Sequence, residues 1–452
     1  MEKIFNFAVN LENKKLLFLL ILTYSFLVSW GFTVYLEPIW GYFGLEAEEP
    51  TITIKSLSLL FCLLPYLFIP KVISRPSIFA VWILYFFVYI PMVVGVYFDK
   101  QIEFTDKGLI SFTYLVGMLM LCSLYVVKLL NFRPNRIPTR YFWTVFYGIT
   151  IIMLVYIIII YRDNFQFGNL FSSENIYDIR SSGQDIQDNA FLAGYIILWL
   201  SNALLPFILC VGLVEKNKVK IYFGIVGLVI LYMTMANKQY LFSILYLFLI
   251  YKLFTSSDLK RITKFLLYIT IPTAFLLVFS YYVDIPFINE TIFILSSILL
   301  LRTVYNSTLM SVYYNVFFEH HPYLYFSQIN GINKFVDYPF EKSLGAEVGS
   351  YFVPSVANFN ANANFFLTDG LSSIGLYGIP LVGFFASIVF YFYDSSASKN
   401  NKTLSILLIS NSCIALMNVS LFTTLISGGL LIYMFLLNNN NLFRKSKTMV
   451  KF

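Results

Sequence analysis

Residues 291–318 of this 452-residue chain read TIFILSSILLLRTVYNSTLMSVYYNVFF, and they decide how the chain crosses a membrane. The stretch is mostly apolar, but its unbroken apolar core, residues 292–301, is only half the roughly 20 residues that span a bilayer. Arg302 follows this core, where a charge near the bilayer centre would cost about 2.5–3.5 kcal/mol. We therefore predict a helix that lies in, or re-enters from, the outer face of the membrane, and not a span.

The rest of the sequence has the composition of a polytopic membrane protein. Of its residues, 58% are apolar and 12% are charged, and its mean hydropathy is +0.74, outside the range of soluble domains. We predict a single all-α membrane domain of about twelve transmembrane helices. The apolar runs that supply them are 16–36, 53–70, 77–98, 108–130, 141–161, 190–214, 219–236, 239–256, 264–283, 371–393, 403–419 and 420–438.

Charge predicts the orientation of this domain. Most of the 31 basic residues fall in connecting segments on the side that holds both termini, which the positive-inside rule makes cytoplasmic. If residues 291–318 crossed, the basic tail at residues 444–451 would move outside. The predicted topology has two sizeable external loops, residues 162–188 and residues 284–370, and the second contains Arg302 and both histidines of the chain.

Several kinds of site have no sequence signal. The four cysteines, Cys62, Cys122, Cys210 and Cys413, all fall inside apolar runs, so they indicate neither an external disulfide nor a metal site. The chain has no P-loop, no glycine-rich dinucleotide turn, no His-Glu-x-x-His and no Gly-x-Ser-x-Gly. We therefore expect no cofactor, no metal and no nucleic-acid partner, and a reaction whose energy arrives with the substrate.

Each predicted external loop carries an arginine that can reach lipid headgroups. Arg180 follows Tyr177 in SSENIYDIRSSG, residues 172–183, and Arg302 ends the short apolar core. A guanidinium offers paired donors that match phosphate oxygens and stays charged at any relevant pH, so both arginines are candidates for stabilising a diphosphate leaving group. The alternative is that each arginine snorkels to anionic lipid or pairs with a nearby acid.

The remaining cationic candidates are two histidines and a lysine. His320 and His321 precede Pro322, and a histidine is suited to accept a proton from a sugar hydroxyl near neutral pH. The alternative is a helix-terminal pair that bonds to the carbonyls of the last turn. Lys238 lies in ANKQ between two apolar runs that leave almost no loop, where it could contact phosphate or act as an ordinary interface anchor.

Residues 358–378, NFNANANFFLTDGLSSIGLYG, combine asparagines, an aspartate and glycines just before an apolar run. Asparagine offers both a donor and an acceptor to sugar hydroxyls, so Asn362, Asn364 and Asp369 are candidate substrate contacts. Gly375 and Gly378 indicate close helix packing instead.

This layout resembles the Wzy-type O-antigen polymerases of bacterial inner membranes. The features that carry the resemblance are YDIR in the mid-chain loop, NKQ between two spans, Arg302 with the His-Pro pair at residues 321–322, and the asparagine-rich sequence leading into IGLYG. They are short motifs in an architecture that covers the whole chain. The resemblance implies a multi-pass glycosyltransferase fold of the GT-C type, an active site that faces the periplasm, and a chain-length-determinant membrane protein as a partner.

The resemblance also implies a reaction. A growing glycan leaves undecaprenyl diphosphate and is joined to a lipid-linked repeat unit, without a metal, while Arg180 and Arg302 bind the diphosphate. His321 would act as the base or position the acceptor, and the other substrate contacts would be Tyr177, Lys238, His320, Asn362, Asn364 and Asp369. Related O-antigen ligases have a histidine beside the asparagine where this chain has ANAN at residues 361–364, a departure that favours polymerase over ligase and leaves the base open.

Two other functions remain open from the sequence. A flippase or exporter of the same lipid-linked oligosaccharides would have similar length, but it should carry ionisable residues near mid-membrane and show repeat symmetry. The predicted spans are almost free of charge and no internal repeat is visible, which favours the enzyme. A ligase, or another lipid-glycan transferase, would share the chemistry and differ in its acceptor.

Overall fold

The described part of the chain is helical. The computed structural model describes residues 2–47, 49–132, 138–162, 192–255, 261–282, 295–329, 331–354 and 359–439, together with residues 183, 186, 190, 292, 293 and 356, and it gives only the backbone of residues 2–13. Over these residues the chain forms no β-strand beyond an isolated bridge between Ala47 and Asp99.

Most of the helices are apolar. In chain order the main ones are α1 Lys14–Phe43, α2 Ile52–Leu67, α3 Pro76–Phe98, α4 Phe104–Val126, α5 Thr139–Ile160, α6 Ala193–Glu215, α7 Lys218–Met235, α8 Gln239–Thr255, α9 Arg261–Tyr282, α10 Ser297–Tyr305 continued by Asn306–His320, α11 Leu344–Phe352, α12 Phe366–Ala397, α13 Lys402–Leu416 and α14 Leu421–Leu437. Eight of them, α1, α3 to α7, α9 and α12, are long and apolar enough to cross a membrane. The prediction of an all-helical, multi-pass membrane protein is therefore confirmed.

Three of the long helices contain a wide, π-helical turn just before a proline. These turns are Phe32–Leu36, Tyr85–Tyr89 and Leu200–Leu204, and the prolines are Pro38, Pro91 and Pro206. A proline ring clashes with the carbonyl four residues earlier and has no N–H to donate to it, so a wider turn relieves the clash without ending the helix.

The carbonyl that Pro206 leaves without its helical partner belongs to Asn202, and two other helices supply the missing hydrogen bonds. The Tyr433 hydroxyl of α14 donates to it at 2.6 Å, and the Asn411 side-chain amide of α13 donates at 2.9 Å. Because an unpaired carbonyl is costly where no water reaches it, this contact fixes α13 and α14 against α6.

One end of the bundle, here called the basic face, is marked by Lys71, Arg75, Lys399 and Lys402. Arg75 donates to the carbonyl of Val127 at 2.6 Å and Lys399 donates to the carbonyl of Phe132 at 3.0 Å. A cation near the end of a helix is favourable because it can donate to carbonyl groups that have no partner within the helix. These residues belong to the set that predicts the cytoplasmic side.

The opposite end, here called the late-loop face, is marked by Glu46, Asp99, His321 and Asn362. Buried Asp99 accepts hydrogen bonds from the amides of Glu46 at 3.0 Å and Gln101 at 2.9 Å, so it ties the end of α1 to the end of α3. In the nearby ion pair between Lys100 and Glu46, each side chain is about half exposed, so the pair contributes little to stability. The buried carboxylate is therefore the main clamp between these two helix ends.

The second half of α10 lies inside the bundle, with every side chain of residues 307–315 buried. Its Thr308 hydroxyl donates to the carbonyl of Pro91 at 3.0 Å, and its Ser311 hydroxyl donates to that of Met92 at 3.2 Å. Gly95 of α3 makes this approach possible because it has no side chain. The sequence predicts a helix that lies in, or re-enters from, the outer face. The structure packs the second half of this helix among other helices, and its position relative to the membrane stays a prediction.

Helix α10 leads from the middle of α1 to the late-loop face. The Tyr305 hydroxyl donates to the carbonyl of Val28, near the centre of α1, whereas the Tyr313 hydroxyl donates to the carbonyl of Phe43, at its late-loop end. The two carbonyls are fifteen residues apart, or roughly 20 Å along a helix. Helix α10 is not among the eight helices that are long and apolar enough to span.

The packing of α10 on α3 predicts a strong effect of Gly95→Ala. A methyl group there would lie 2.5 Å from the carbonyl oxygen of Thr308, so the helices must separate, at a cost of about 1–3 kcal/mol. Gly148→Ala on α5 is the matched control, because nothing lies within 4 Å of that added atom. Melting temperatures in detergent should fall for Gly95→Ala alone, and equal values for the two variants would contradict this packing.

The Asp99 clamp predicts a pH-dependent stability. Burial raises the pKa of Asp99 to about 6, above the ordinary 3.8, although hydrogen bonds from Gln101 and Glu46 lower it. A carboxyl with a raised pKa holds its proton more tightly in the folded state, so its contribution is complete below the ordinary pKa and is lost as the pH rises to about 6. From about pH 7 to about pH 4, the wild type should gain up to about 3 kcal/mol relative to Asp99→Asn.

This comparison is made by measuring the melting temperatures of the two proteins at each pH. Taking the difference cancels the other titrating groups, which both proteins share. A difference that stays constant with pH would show that Asp99 does not carry this dependence.

Candidate functional site

Arg302 is exposed on the π-helical half of α10. It makes no ion pair or hydrogen bond with another described residue, and it lies one turn before Tyr305, whose hydroxyl reaches the middle of α1. A guanidinium carries paired donors that match the oxygens of a phosphate, so an exposed arginine without a described partner can bind a phosphate-bearing ligand.

His321 follows the last residue of α10 and lies in an aromatic enclosure. Its ring is stacked on Phe317 with centroids 3.9 Å apart and planes 1° from parallel, and it meets Tyr351 of α11 edge-on at 5.2 Å. Its Nδ1 lies 2.9 Å from the carbonyl oxygen of Phe317, one turn earlier. This geometry is the one that the alternative interpretation predicts, a histidine at a helix end that bonds to a carbonyl of the last turn.

The same geometry leaves His321 able to act as a base. A carbonyl oxygen can only accept, so Nδ1 carries the hydrogen and donates it, which gives the neutral ring its lone pair on Nε2. No described residue forms a hydrogen bond with Nε2. The aromatic neighbours fix the orientation of the ring, so Nε2 is held ready to take a proton from a hydroxyl group.

His320 is exposed, and its neighbourhood is acidic. Burial raises the pKa of the adjacent Glu319, the charge of His320 lowers it, and those of Asp106 and Glu103 raise it further. Glu319 thus binds a proton more readily than an ordinary glutamate. His320 therefore lies beside Glu319 at the surface, whereas His321 turns into the aromatic enclosure.

Arg302 and His321 lie at opposite ends of one helix. Eighteen residues of α10 separate Arg302 from His320, and at about 1.5 Å per residue this is roughly 25 Å. A base and a phosphate-binding cation that serve the same glycosidic bond must both lie within a few ångströms of it. The structure does not bring these two residues together around one bond.

Asn362 and His321 both approach α11, from different sides. The segment that holds it runs beside α11, where the Ala361 amide donates to the Gly345 carbonyl at 2.8 Å. Asn362 is exposed, and its Oδ1 would be 2.5 Å from a side-chain carbon at Gly345. Gly345, which Asn362 approaches, and Tyr351, which His321 contacts, are six residues apart on α11. This separation is roughly 9 Å along the helix.

Asn364 and Asp369, predicted as substrate contacts, are buried and support helix ends. The Asn364 side-chain oxygen accepts from the Phe366 amide at 3.1 Å, at the start of α12. Asp369 Oδ2 accepts from the Leu421 amide at 2.5 Å, at the start of α14. Helix N-termini leave amides unpaired, and these oxygens satisfy them. Both side chains are buried, and their role as substrate contacts stays a prediction.

Lys238 is exposed in the tight turn between α7 and α8. These helices pack against α6, α9 and α13, and not against the elements that hold His321 and Asn362. Arg180 and Tyr177 lie outside the described residues, as does most of the predicted loop at residues 162–188. The predicted convergence of Arg180 and Arg302 on one diphosphate therefore stays a prediction.

The sequence gives little warning of the residues that surround His321. Tyr351 and Phe340 approach it from segments 30 and 19 residues away, and aromatic residues are common throughout this chain. One signal does exist in the paired glycines of α11, because Gly345 and Gly349 share a face at helical spacing and admit the asparagine-rich segment.

Over the described ranges, no group of three or more histidine, cysteine or acidic side chains could hold a metal ion. Comparisons with protein-family models, with curated proteins and with solved structures each gave no match.

Proposed function

We propose that this protein is a glycosyltransferase of a bacterial inner membrane that polymerises undecaprenyl-diphosphate-linked oligosaccharide repeat units, as O-antigen polymerases do. The observation that supports it best is Arg302, an exposed cation with no described partner. A lipid-linked diphosphate is an anion that such a residue can bind, and the diphosphate of the donor supplies the energy for the transfer as it leaves.

The topology of this proposal has twelve crossings, with both termini in the cytoplasm and the late-loop face in the periplasm. Helix α13 supports it although it is short, because Lys402 at its start contacts Ile73 on the basic face and the Leu421 amide, shortly after its end, donates to Asp369 at the late-loop end of α12. Helix α14 then returns, since the Leu437 carbonyl accepts from Asn400 at 2.5 Å. We propose that α2 and α8 cross in the same way.

In the proposed reaction, a hydroxyl of the acceptor glycan attacks the anomeric carbon of the donor. A carbon–oxygen bond forms as the bond from that carbon to the diphosphate breaks, and the lipid diphosphate leaves with the electron pair. His321 Nε2 takes the proton of the attacking hydroxyl, while Asn362 and the exposed edge of Tyr351 bind the adjacent sugar. Cations neutralise the diphosphates of the two lipid-linked substrates.

The direct test is purified protein in lipid vesicles with synthetic polyprenyl-diphosphate-linked repeat units, with and without a chelator. We expect a ladder of products in both conditions. If units instead cross the vesicle membrane without being joined, the protein is an exporter. If a unit is transferred only to another glycan acceptor, it is a ligase-type transferase.

Arg302→Gln should reduce polymer formation tenfold to about a hundredfold, because a hydrogen bond to a charged group contributes about 1.5–3 kcal/mol. Arg302→Lys keeps the charge without the paired donors, so its polymer formation should lie between that of Arg302→Gln and that of the wild type. Arg140→Gln is the control, an exposed arginine at the other end of the bundle, at the start of α5. Full activity in Arg302→Gln would remove this residue from the proposal.

His321→Gln should lower the rate constant of transfer by about 10²–10⁴ while the protein stays folded, because glutamine can still bond to the Phe317 carbonyl but cannot act as a base. The control is Phe335→Leu, an aromatic residue of the same loop that is 89% exposed. The measurement is single-turnover transfer at saturating donor and acceptor. An unchanged rate constant would assign the proton transfer to another group.

A further inference from the structure

A row of aromatic rings lies beside α10, at the late-loop end of α1. Phe293, shortly before α10, is stacked on Trp40 at 5.5 Å, and Trp40 is stacked on Phe43 at 5.6 Å. Phe43 then meets Phe359 at 5.2 Å. These residues come from three separate parts of the chain, and they form one line of contacts that begins near the Arg302 half of α10.

Helix α11 lies between this row and His321. Phe359 lies with its backbone against Gly349, two residues before Tyr351, whose ring meets His321. We call the aromatic row the set Phe293, Trp40, Tyr42, Phe43, Phe359 and Tyr351. Its last ring is therefore part of the enclosure that orients the proposed base.

One edge of the aromatic row is open. Tyr42 is 65% exposed, and Phe293 and Tyr351 are each 48% exposed, whereas Trp40, which contacts Tyr42 and Phe293, is 9% exposed. Aromatic side chains also gather at membrane interfaces for reasons unrelated to a ligand. An interfacial belt does not require rings from three parts of the chain in contact with one another, which is the arrangement seen here.

We infer that the aromatic row is a saccharide track that binds the acceptor glycan, with the acceptor's own diphosphate at Arg302 and its terminal hydroxyl at His321. This inference rests on the proposed function. The apolar C–H face of a pyranose packs on an aromatic face, and exposed Asn362 offers an amide to hydroxyls at the His321 end. The roughly 25 Å between the two ends suits an oligosaccharide of several rings.

This assignment resolves the separation of Arg302 and His321. The acceptor remains attached to its lipid during transfer, so its diphosphate and its reacting hydroxyl are necessarily a glycan's length apart. Arg302 then anchors the acceptor and does not stabilise the leaving group. The donor's diphosphate lies near His321 and requires a different cation.

The test is a single-transfer assay with purified protein in vesicles, in which donor and acceptor are varied separately. Tyr42→Ala and Tyr351→Ala should each raise the KM of a full-length lipid-linked acceptor about tenfold, with the KM of the donor unchanged. Tyr42→Phe keeps the ring and should restore the wild-type value. Tyr377→Ala, which removes an 85% exposed aromatic residue that is not in the aromatic row, is the matched control.

A second arm tests the anchor. Arg302→Gln should raise the KM of the lipid-linked acceptor, but wild type and variant should use the same glycan without its lipid diphosphate equally well. If Arg302→Gln raises the donor's KM instead, or if Tyr42→Ala and Tyr351→Ala behave like Tyr377→Ala, the track is refuted while the function stands. If the wild type transfers no sugar to any acceptor, the proposed function itself fails.

Discussion

The close contact between α3 and α10 is the constraint on which the late-loop face depends. Gly95 leaves room for the backbone at Thr308, and two hydroxyls of α10 bond to carbonyls of α3. The carbonyl of Pro91 is one of these acceptors, in the helix that a wide turn opens just before that proline. Because α10 is held there, His321 lies at the late-loop face, directly after its last turn, and Arg302 is exposed on its first half.

Buried carboxylates hold the two ends of α12 in a related way. Asp394 accepts from the Ser77 amide at 3.1 Å, at the start of α3 on the basic face, and Asp369 accepts from the Leu421 amide at the late-loop end. Each oxygen satisfies an amide that a helix start leaves unpaired, in a place where water is scarce. The aspartates of this helix are therefore better explained by helix ends than by transport of a charged substrate.

Hydropathy was sufficient to predict the helices and the class of protein, because a long apolar run has few other stable forms. It could not predict that α10 is surrounded by protein, since burial against lipid and burial against helices require the same apolar side chains. The serines and threonines of α10 were the available signal, and small polar residues do mark helix contacts in membranes. The roles of Asn364 and Asp369 were not predictable, because their partners at the start of α12 and at Leu421 depend on tertiary structure.

The sequence predicts that Arg302 and His321 belong to one catalytic centre, because both lie in one polar segment that is predicted to be external. A continuous helix holds the two residues roughly 25 Å apart. Two groups that act on one bond must both lie within a few ångströms of it. A substrate with two distant reactive features removes the difficulty. A lipid-linked acceptor has such features, an anionic lipid end and a hydroxyl at the far end of its glycan, and a rigid helix between two binding groups would select glycans of matching length.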